Sequence, residues 1–123
     1  MKVLIVDDSK TMRSIVKNCL GGIGYSDVEE ACDGQDALEK VAQCKPGLIL
    51  LDWNMPNMNG IDFLKAYRAK GGKAPVVMVT TESEKARVID AIRAGANDFV
   101  VKPFTPDVLA KHVNRTIEKA QAA

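Results

Sequence analysis

Four consecutive apolar residues, Leu48-Ile49-Leu50-Leu51, run straight into Asp52, and turn-formers follow: Asn54, Pro56, Asn57, Asn59 and Gly60. An unbroken apolar run of this length reads as a strand buried on both faces. A sheet with two buried faces needs helices above and below it, which points to an α/β architecture. Asp52 then stands at the carboxyl end of a rigid strand, where open α/β sheets place their ligands. That position suits a nucleophilic or metal-binding carboxylate, although an acid can also simply end a strand.

The rest of the chain repeats the theme. Val3-Leu4-Ile5-Val6 is a second such run and ends in Asp7 and Asp8. Met12, Ile15, Val16, Cys19 and Leu20 then fall on one helical face, and Gly21, Gly22 and Gly24 stop that helix. Those glycines follow a helix instead of opening one, so they are no dinucleotide-binding fingerprint. Val28 to Cys32 is a weakly marked strand, interrupted by Glu29 and Glu30, as suits a sheet edge. Asp33 caps a helix whose inner face carries Ala37, Leu38 and Val41, and Pro46-Gly47 breaks it.

After the Asn-rich loop, residues 60–69 read as a helix burying Ile61, Leu64 and Tyr67. The run Val76-Val77-Met78-Val79 ends at Thr80-Thr81, and Thr81 with Glu84 fits a capping box. The helix it would open places Val88, Ile89 and Ile92 inward. Phe99-Val100-Val101 is the fifth strand, closed by Lys102-Pro103. Thr105-Pro106-Asp107 starts a last helix that would bury Val108, Leu109, Val113 and Ile117. Five strands alternating with five helices predict a parallel sheet with right-handed crossovers.

In such a sheet all strand carboxyl ends share one edge. Asp7 and Asp8, Asp52, Thr80 and Lys102 would meet there. Three crowded carboxylates repel one another, and a hard divalent cation such as magnesium resolves the conflict. A metal, an ammonium and a hydroxyl around one carboxylate form a place for a phosphoryl group. Each member also has a plainer reading. Asp8 could cap the first helix, Lys102 could be a solvated strand end, Thr80 a strand or cap residue, and Phe99 core.

Composition narrows the function classes. The 123 residues make one domain, and 17 Lys and Arg against 16 Asp and Glu leave a net charge of +1. No large field for nucleic acid results. Three unpaired cysteines and one histidine argue against zinc and fit reduced, buried or half-exposed thiols in the cytoplasm. The N-terminal run is too short for a signal peptide or membrane span.

The motifs Val6-Asp7-Asp8-Ser9, Asp52-Trp53-Asn54-Met55-Pro56-Asn57-Met58-Asn59-Gly60, Met78-Val79-Thr80 and Phe99-Val100-Val101-Lys102-Pro103-Phe104 occur in this order. With them the chain resembles the response regulator receiver domains of two-component systems, most closely the single-domain chemotaxis regulators. The resemblance covers residues 1–123. It implies a flavodoxin-like fold with strand order 2-1-3-4-5, an order that comes from the family and not from the spacing.

It further implies that Asp52 accepts a phosphoryl group from a histidine kinase. Asp7, Asp8, Asp52 and the Asn54 main-chain carbonyl would hold Mg2+, and Thr80 and Lys102 would contact phosphoryl oxygens. The Lys102-Pro103 peptide would be cis. Thr80 and Phe99 would form a switch that alters the surface of helix four, strand five and helix five, where a downstream target binds, such as the flagellar motor switch. The implied protein is a cytoplasmic monomer that is not an enzyme, on which a phosphatase can act, and that touches neither nucleic acid nor membrane.

Two positions depart from the family pattern. Phe99 stands where the chemotaxis regulators often carry tyrosine, so no hydroxyl is available there. Thr81 stands where alanine or glycine is usual, and a branched residue there is expected to lengthen the life of the acyl phosphate, with Asn54 and Glu82 flanking the same water path. Other functions meet obstacles. A haloacid-dehalogenase-type phosphohydrolase needs its two strand-one acids two residues apart and a cap segment, and here Asp7 and Asp8 are adjacent. A flavodoxin needs a phosphate-cradling loop where Asp7-Asp8-Ser9-Lys10 stands. A receiver outside chemotaxis remains open.

Overall fold

A computed structural model describes residues 1–122. The elements alternate as expected: β1 (Val3–Val6), α1 (Lys10–Gly21), β2 (Val28–Ala31), α2 (Gly34–Cys44), β3 (Leu48–Leu51), α3 (Gly60–Ala69), β4 (Val76–Thr80), α4 (Lys85–Ala94), β5 (Asp98–Val101) and α5 (Pro106–Ala122). The five strands form one parallel sheet in the order β2-β1-β3-β4-β5, with β2 at an edge.

Strand pleating divides the core in two. Leu4, Val6, Ile49, Leu51, Val76 and Met78 face α2, α3 and α4, where they meet Ala37, Phe63, Leu64 and Ala91. Val3, Ile5, Leu48, Leu50, Val77 and Val79 face α1 and α5, where they meet Val16, Leu20, Leu109 and Val113. Both strand faces are therefore apolar, which is why the runs are unbroken.

The helix starts follow local chemistry. Ser9 accepts from the Met12 amide at 3.2 Å, Asp33 from the Asp36 amide at 2.8 Å, and Asn59 from the Asp62 amide at 2.9 Å. Thr105 accepts from the Val108 amide at 3.3 Å. The first cap is Ser9, so Asp8 is left free of that duty.

Several sequence expectations need correction. Helix α4 begins at Lys85 with Glu84 at its cap, so Thr81 and Glu84 form no capping box. Ile89 and Ile92 are 40% and 48% exposed, and Ala91 is the residue that α4 buries. Val108 on α5 and Ile15 on α1 also lie at the surface. Phe63, which the α3 periodicity left out, is among the largest fully buried side chains. Helix α3 is wedged between α2 and α4, so its buried arc is wide enough to take both Phe63 and Leu64. The cysteines are all free, as expected, but Cys32 is exposed.

The amino-end side of the sheet is tied by one residue. Arg68, at the end of α3, donates to the carbonyls of Gly72, Ala74 and Gly95 at 3.1, 2.8 and 2.8 Å, and to Asn97 Oδ1 at 3.1 Å. Burial pushes its pKa down from the usual guanidinium value. At the start of β5, Asp98 Oδ2 lies 2.7 Å from His112 Nδ1 and accepts from Arg115 at 2.9 Å. Among the described residues, no helix is long and apolar enough to cross a membrane.

Candidate functional site

Strand register builds the site. Val6 pairs with Leu51, so the next residues, Asp7 and Asp52, emerge side by side. The Asp52 amide donates to the Val6 carbonyl at 2.9 Å, and the Asp7 amide to the Ala31 carbonyl at 3.1 Å. Across the sheet Thr80 pairs with Val101, and the Lys102 amide donates to the Thr80 carbonyl at 2.8 Å. Four of the expected residues, Asp7, Asp52, Thr80 and Lys102, are thus fixed through the main chain.

The reversal of strand order falls between β1 and β3, where an open parallel sheet leaves a crevice. One oxygen from each of Asp7, Asp8 and Asp52 lies within 4.8 Å of the others. Asp7 and Asp52 are buried and Asp8 is exposed. Lys102 Nζ donates to Asp7 Oδ2 at 2.7 Å and reaches Asp52 Oδ2 at 3.3 Å. The ammonium is an integral part of the cluster and no solvated strand end.

Asp7 Oδ1 also accepts from the Ser9 amide at 2.8 Å, and Asp52 Oδ1 from the Trp53 amide at 2.7 Å. Burial raises the Asp52 pKa, and the nearby Asp7 charge adds to the rise. Lys102, the Thr80 hydroxyl and the Trp53 amide pull it partly back. Three acids and one lysine leave the crevice with surplus negative charge. Two of the acids are walled from water while the third opens to it. Hard oxygen donors with room for water suit a divalent cation of the magnesium type.

Thr80 is fully buried, and its hydroxyl accepts from the Glu82 amide at 3.4 Å. Phe99 is half-buried against the α2–α4 side of the core. Asn54 is exposed, and its side-chain amide donates to Glu82 Oε1 at 3.1 Å, so these two do stand together at the mouth. The Lys102-Pro103 peptide is cis.

Two supports were not anticipated. A Cβ on Gly60 would lie 2.0 Å from the Asp52 carbonyl oxygen, so α3 can start beneath the acid only with glycine there. The Gly60 amide donates to the Trp53 carbonyl at 2.9 Å, closing the loop. Arg13 donates to the Asp7 carbonyl at 2.7 Å and to Glu30 Oε1 at 3.0 Å, holding the β1–α1 turn. The Asn59-Gly60 pair marked a turn in sequence. Nothing local marked Arg13, whose partners lie on other segments.

Residues 3–114 match the family described as the response regulator receiver domain. The chain belongs to this family. Among curated proteins, this receiver domain is 52% identical over 112 residues to chemotaxis protein CheY1 of Helicobacter pylori strain J99, covering 89% of this chain and 90% of that one. It is 50% identical over 112 residues to a CheY homologue of Campylobacter jejuni, covering 89% and 86%. Among solved structures, CheY4 of Vibrio cholerae superposes with a TM-score of 0.87 at 39% identity, covering 94% and 97%. The signal receiver domain of a LuxO repressor protein of Vibrio parahaemolyticus gives 0.92 at 29%, covering 98% and 92%. The receiver fold with strand order 2-1-3-4-5, and a CheY-like character, are thereby established. Receiver domains of this kind are signalling proteins and not enzymes of the usual sort.

Proposed function

We propose that residues 1–123 act as a single receiver domain that takes a phosphoryl group onto Asp52 from a histidine kinase and works in chemotaxis. The observation that carries this reading is the convergence of Asp7, Asp8 and Asp52 within 4.8 Å around the Lys102 ammonium. A carboxylate oxygen of Asp52 attacks phosphorus, and the bond from phosphorus to the kinase imidazole nitrogen breaks. The electron pair leaves with the imidazole, and a mixed anhydride remains on Asp52.

Asp7, Asp8, Asp52 and the Asn54 carbonyl would hold Mg2+, which when bound supplies positive charge beside the transferring oxygens. Lys102 supplies a second cation, exchanging a carboxylate partner for a phosphoryl oxygen. Thr80 offers its hydroxyl to another oxygen, and Phe99 moves into the space that opens. Thr81 crowds the mouth and slows hydrolysis, so Thr81→Ala should dephosphorylate faster.

The output surface is α4–β5–α5. Ile89, Ile92, Val101 and Val108 are large apolar residues exposed on those three elements, an arrangement that favours a protein partner. The relatives' chemotaxis names support a target in chemotaxis, for which the flagellar motor switch is the candidate. The free cysteines accord with action in the cytoplasm. The test is labelling by a small-molecule phosphodonor. Incorporation should need Mg2+ and vanish in Asp52→Asn; labelling that survives either change would refute the assignment. A pull-down with a phosphate-mimicking fluoride complex on Asp52 would then identify the target. A partner with no motor role would place the receiver outside chemotaxis.

A further inference from the structure

A second feature lies between α3 and α4, outside the acidic crevice and sharing only α4 with the α4–β5–α5 surface. Helices α3 and α4 flank an open groove of about 640 Å³ with Trp53 and Ile61 in its lining. Four cations border it: Lys65 and Arg68 from α3, Arg87 and Arg93 from α4. Two carboxylates, Asp62 and Asp90, share the rim, leaving a formal surplus of two positive charges.

Among the described residues, Lys65, Arg87 and Arg93 enter no salt bridge. Arg68 gives its N–H groups to carbonyl and amide oxygens, so no carboxylate cancels its charge. Arg87 sits over the Trp53 ring, 5.3 Å from its centroid, and Trp53 is only 7% exposed. Unpaired guanidinium groups around an aromatic floor are the composition of protein-binding hot spots.

We propose that this groove docks an acidic segment of a partner protein, with carboxylates meeting Lys65, Arg87 and Arg93. Charge complementarity selects the occupant. The cations are spread over two helices and share the rim with two carboxylates, which favours spaced acids on a peptide over a compact polyanion. Occupancy is read by the neighbour of Asp52 in the chain: the Trp53 amide bonds Asp52 Oδ1, and its carbonyl holds the Gly60 amide. The docking itself needs no phosphorylation and stands apart from the function proposed above.

The test is an NMR titration of the unmodified full chain with a short capped peptide of Glu and Asp. The indole N–H of Trp53, the only tryptophan, and the amides of α3 and α4 should shift together. The same peptide with Lys for the acids should leave them unmoved. The double variant Lys65→Glu/Arg93→Glu should weaken binding at least about tenfold, as should added salt, while circular dichroism and melting show the fold intact. Arg87→Gln should weaken it without reversing any charge. Shifts centred on β5 and α5, or equal binding by the double variant, would overturn the proposal. So would inorganic triphosphate matching the peptide at equal concentration, which would mark a small-polyanion site.

Discussion

Substituting Gly60 by alanine asks whether the acid is held by close backbone contact. The added Cβ would stand 2.0 Å from the Asp52 carbonyl oxygen, 3.0 Å from its carbon and 3.2 Å from Leu51 Cγ. The first two are main-chain atoms fixed by the Gly60-to-Trp53 and Asp52-to-Val6 hydrogen bonds, so no flexible side chain can yield. Gly60 opens α3 without a positive φ, so alanine there is favoured by helix propensity by about 0.5–1 kcal/mol. Overpacking of a close-packed site costs about 1–3 kcal/mol, and rigid backbone on one side puts this case at the upper end. The net expectation is a loss of about 2 kcal/mol, which for a chain of this size lowers the melting temperature by ~8 °C. Gly21 is the control: a Cβ there meets nothing within 4 Å, and its backbone is helical. Gly21→Ala should stabilise by about 0.4–1 kcal/mol. Urea denaturation of the three proteins reads both numbers, and Trp53 fluorescence reports divalent-ion affinity, which Gly60→Ala should weaken as Asp52 is displaced. If Gly60→Ala matched Gly21→Ala in stability, the close approach would not be what constrains that position.

In chelator at neutral pH, Asp52→Asn should melt above the wild type, because burial makes the charged form unfavourable. Mg2+ should stabilise the wild type by about 2.7 kcal/mol at a hundredfold excess over its dissociation constant and leave the variant nearly unmoved, a contrast that calorimetric melts would show. Asp98 behaves oppositely. Burial raises its pKa, but bonds from His112, Arg115 and the Phe99 amide outweigh it and bring the value below the usual one. Its stabilisation is complete above the unfolded-state value near 3.9 and is lost as pH falls through the lower folded value. Asp98→Asn should therefore cost about 1.5–3 kcal/mol at neutral pH, with the gap closing in acid on a pH series of denaturation curves. Arg68→Ala strands three carbonyls and should cost about 3 kcal/mol or more in urea. Arg68→Lys should recover little of it, since an ammonium lacks the planar fork.

Which parts of this structure were legible from the residues follows from what periodicity can encode. The strands β1, β3 and β4 announced themselves because burial on both faces leaves no polar residue to interrupt them. Their carboxyl ends then located Asp7, Asp52 and Thr80 without any knowledge of register. Register itself was silent, so the contact of Lys102 with both acids could be expected only as a shared edge and not as a bond. Helix α4 was misjudged for a different reason. Its apolar stripe was real, but an apolar stripe marks a face that avoids water in some state and does not say whether the cover is the sheet or another molecule. The small Ala91 turns inward, and Ile89 and Ile92 remain outside. The cap was misplaced because Thr81 to Glu84 bridges the site mouth before the helix begins. Arg13 and Arg68 were invisible because their partners are mostly main-chain oxygens, which no residue type announces.

The Arg68 knot gives the molecule a fixed pole. With the turns beneath β4 and β5 clamped to the end of α3, slack is confined to the opposite rim, among the loops that follow the strands. The base of the α3–α4 half is thereby tied down at the end remote from Asp52. In the switch proposed above, the upper ends of α4 and β5 would be the parts that respond, much as a reed fixed at its root bends only at its tip.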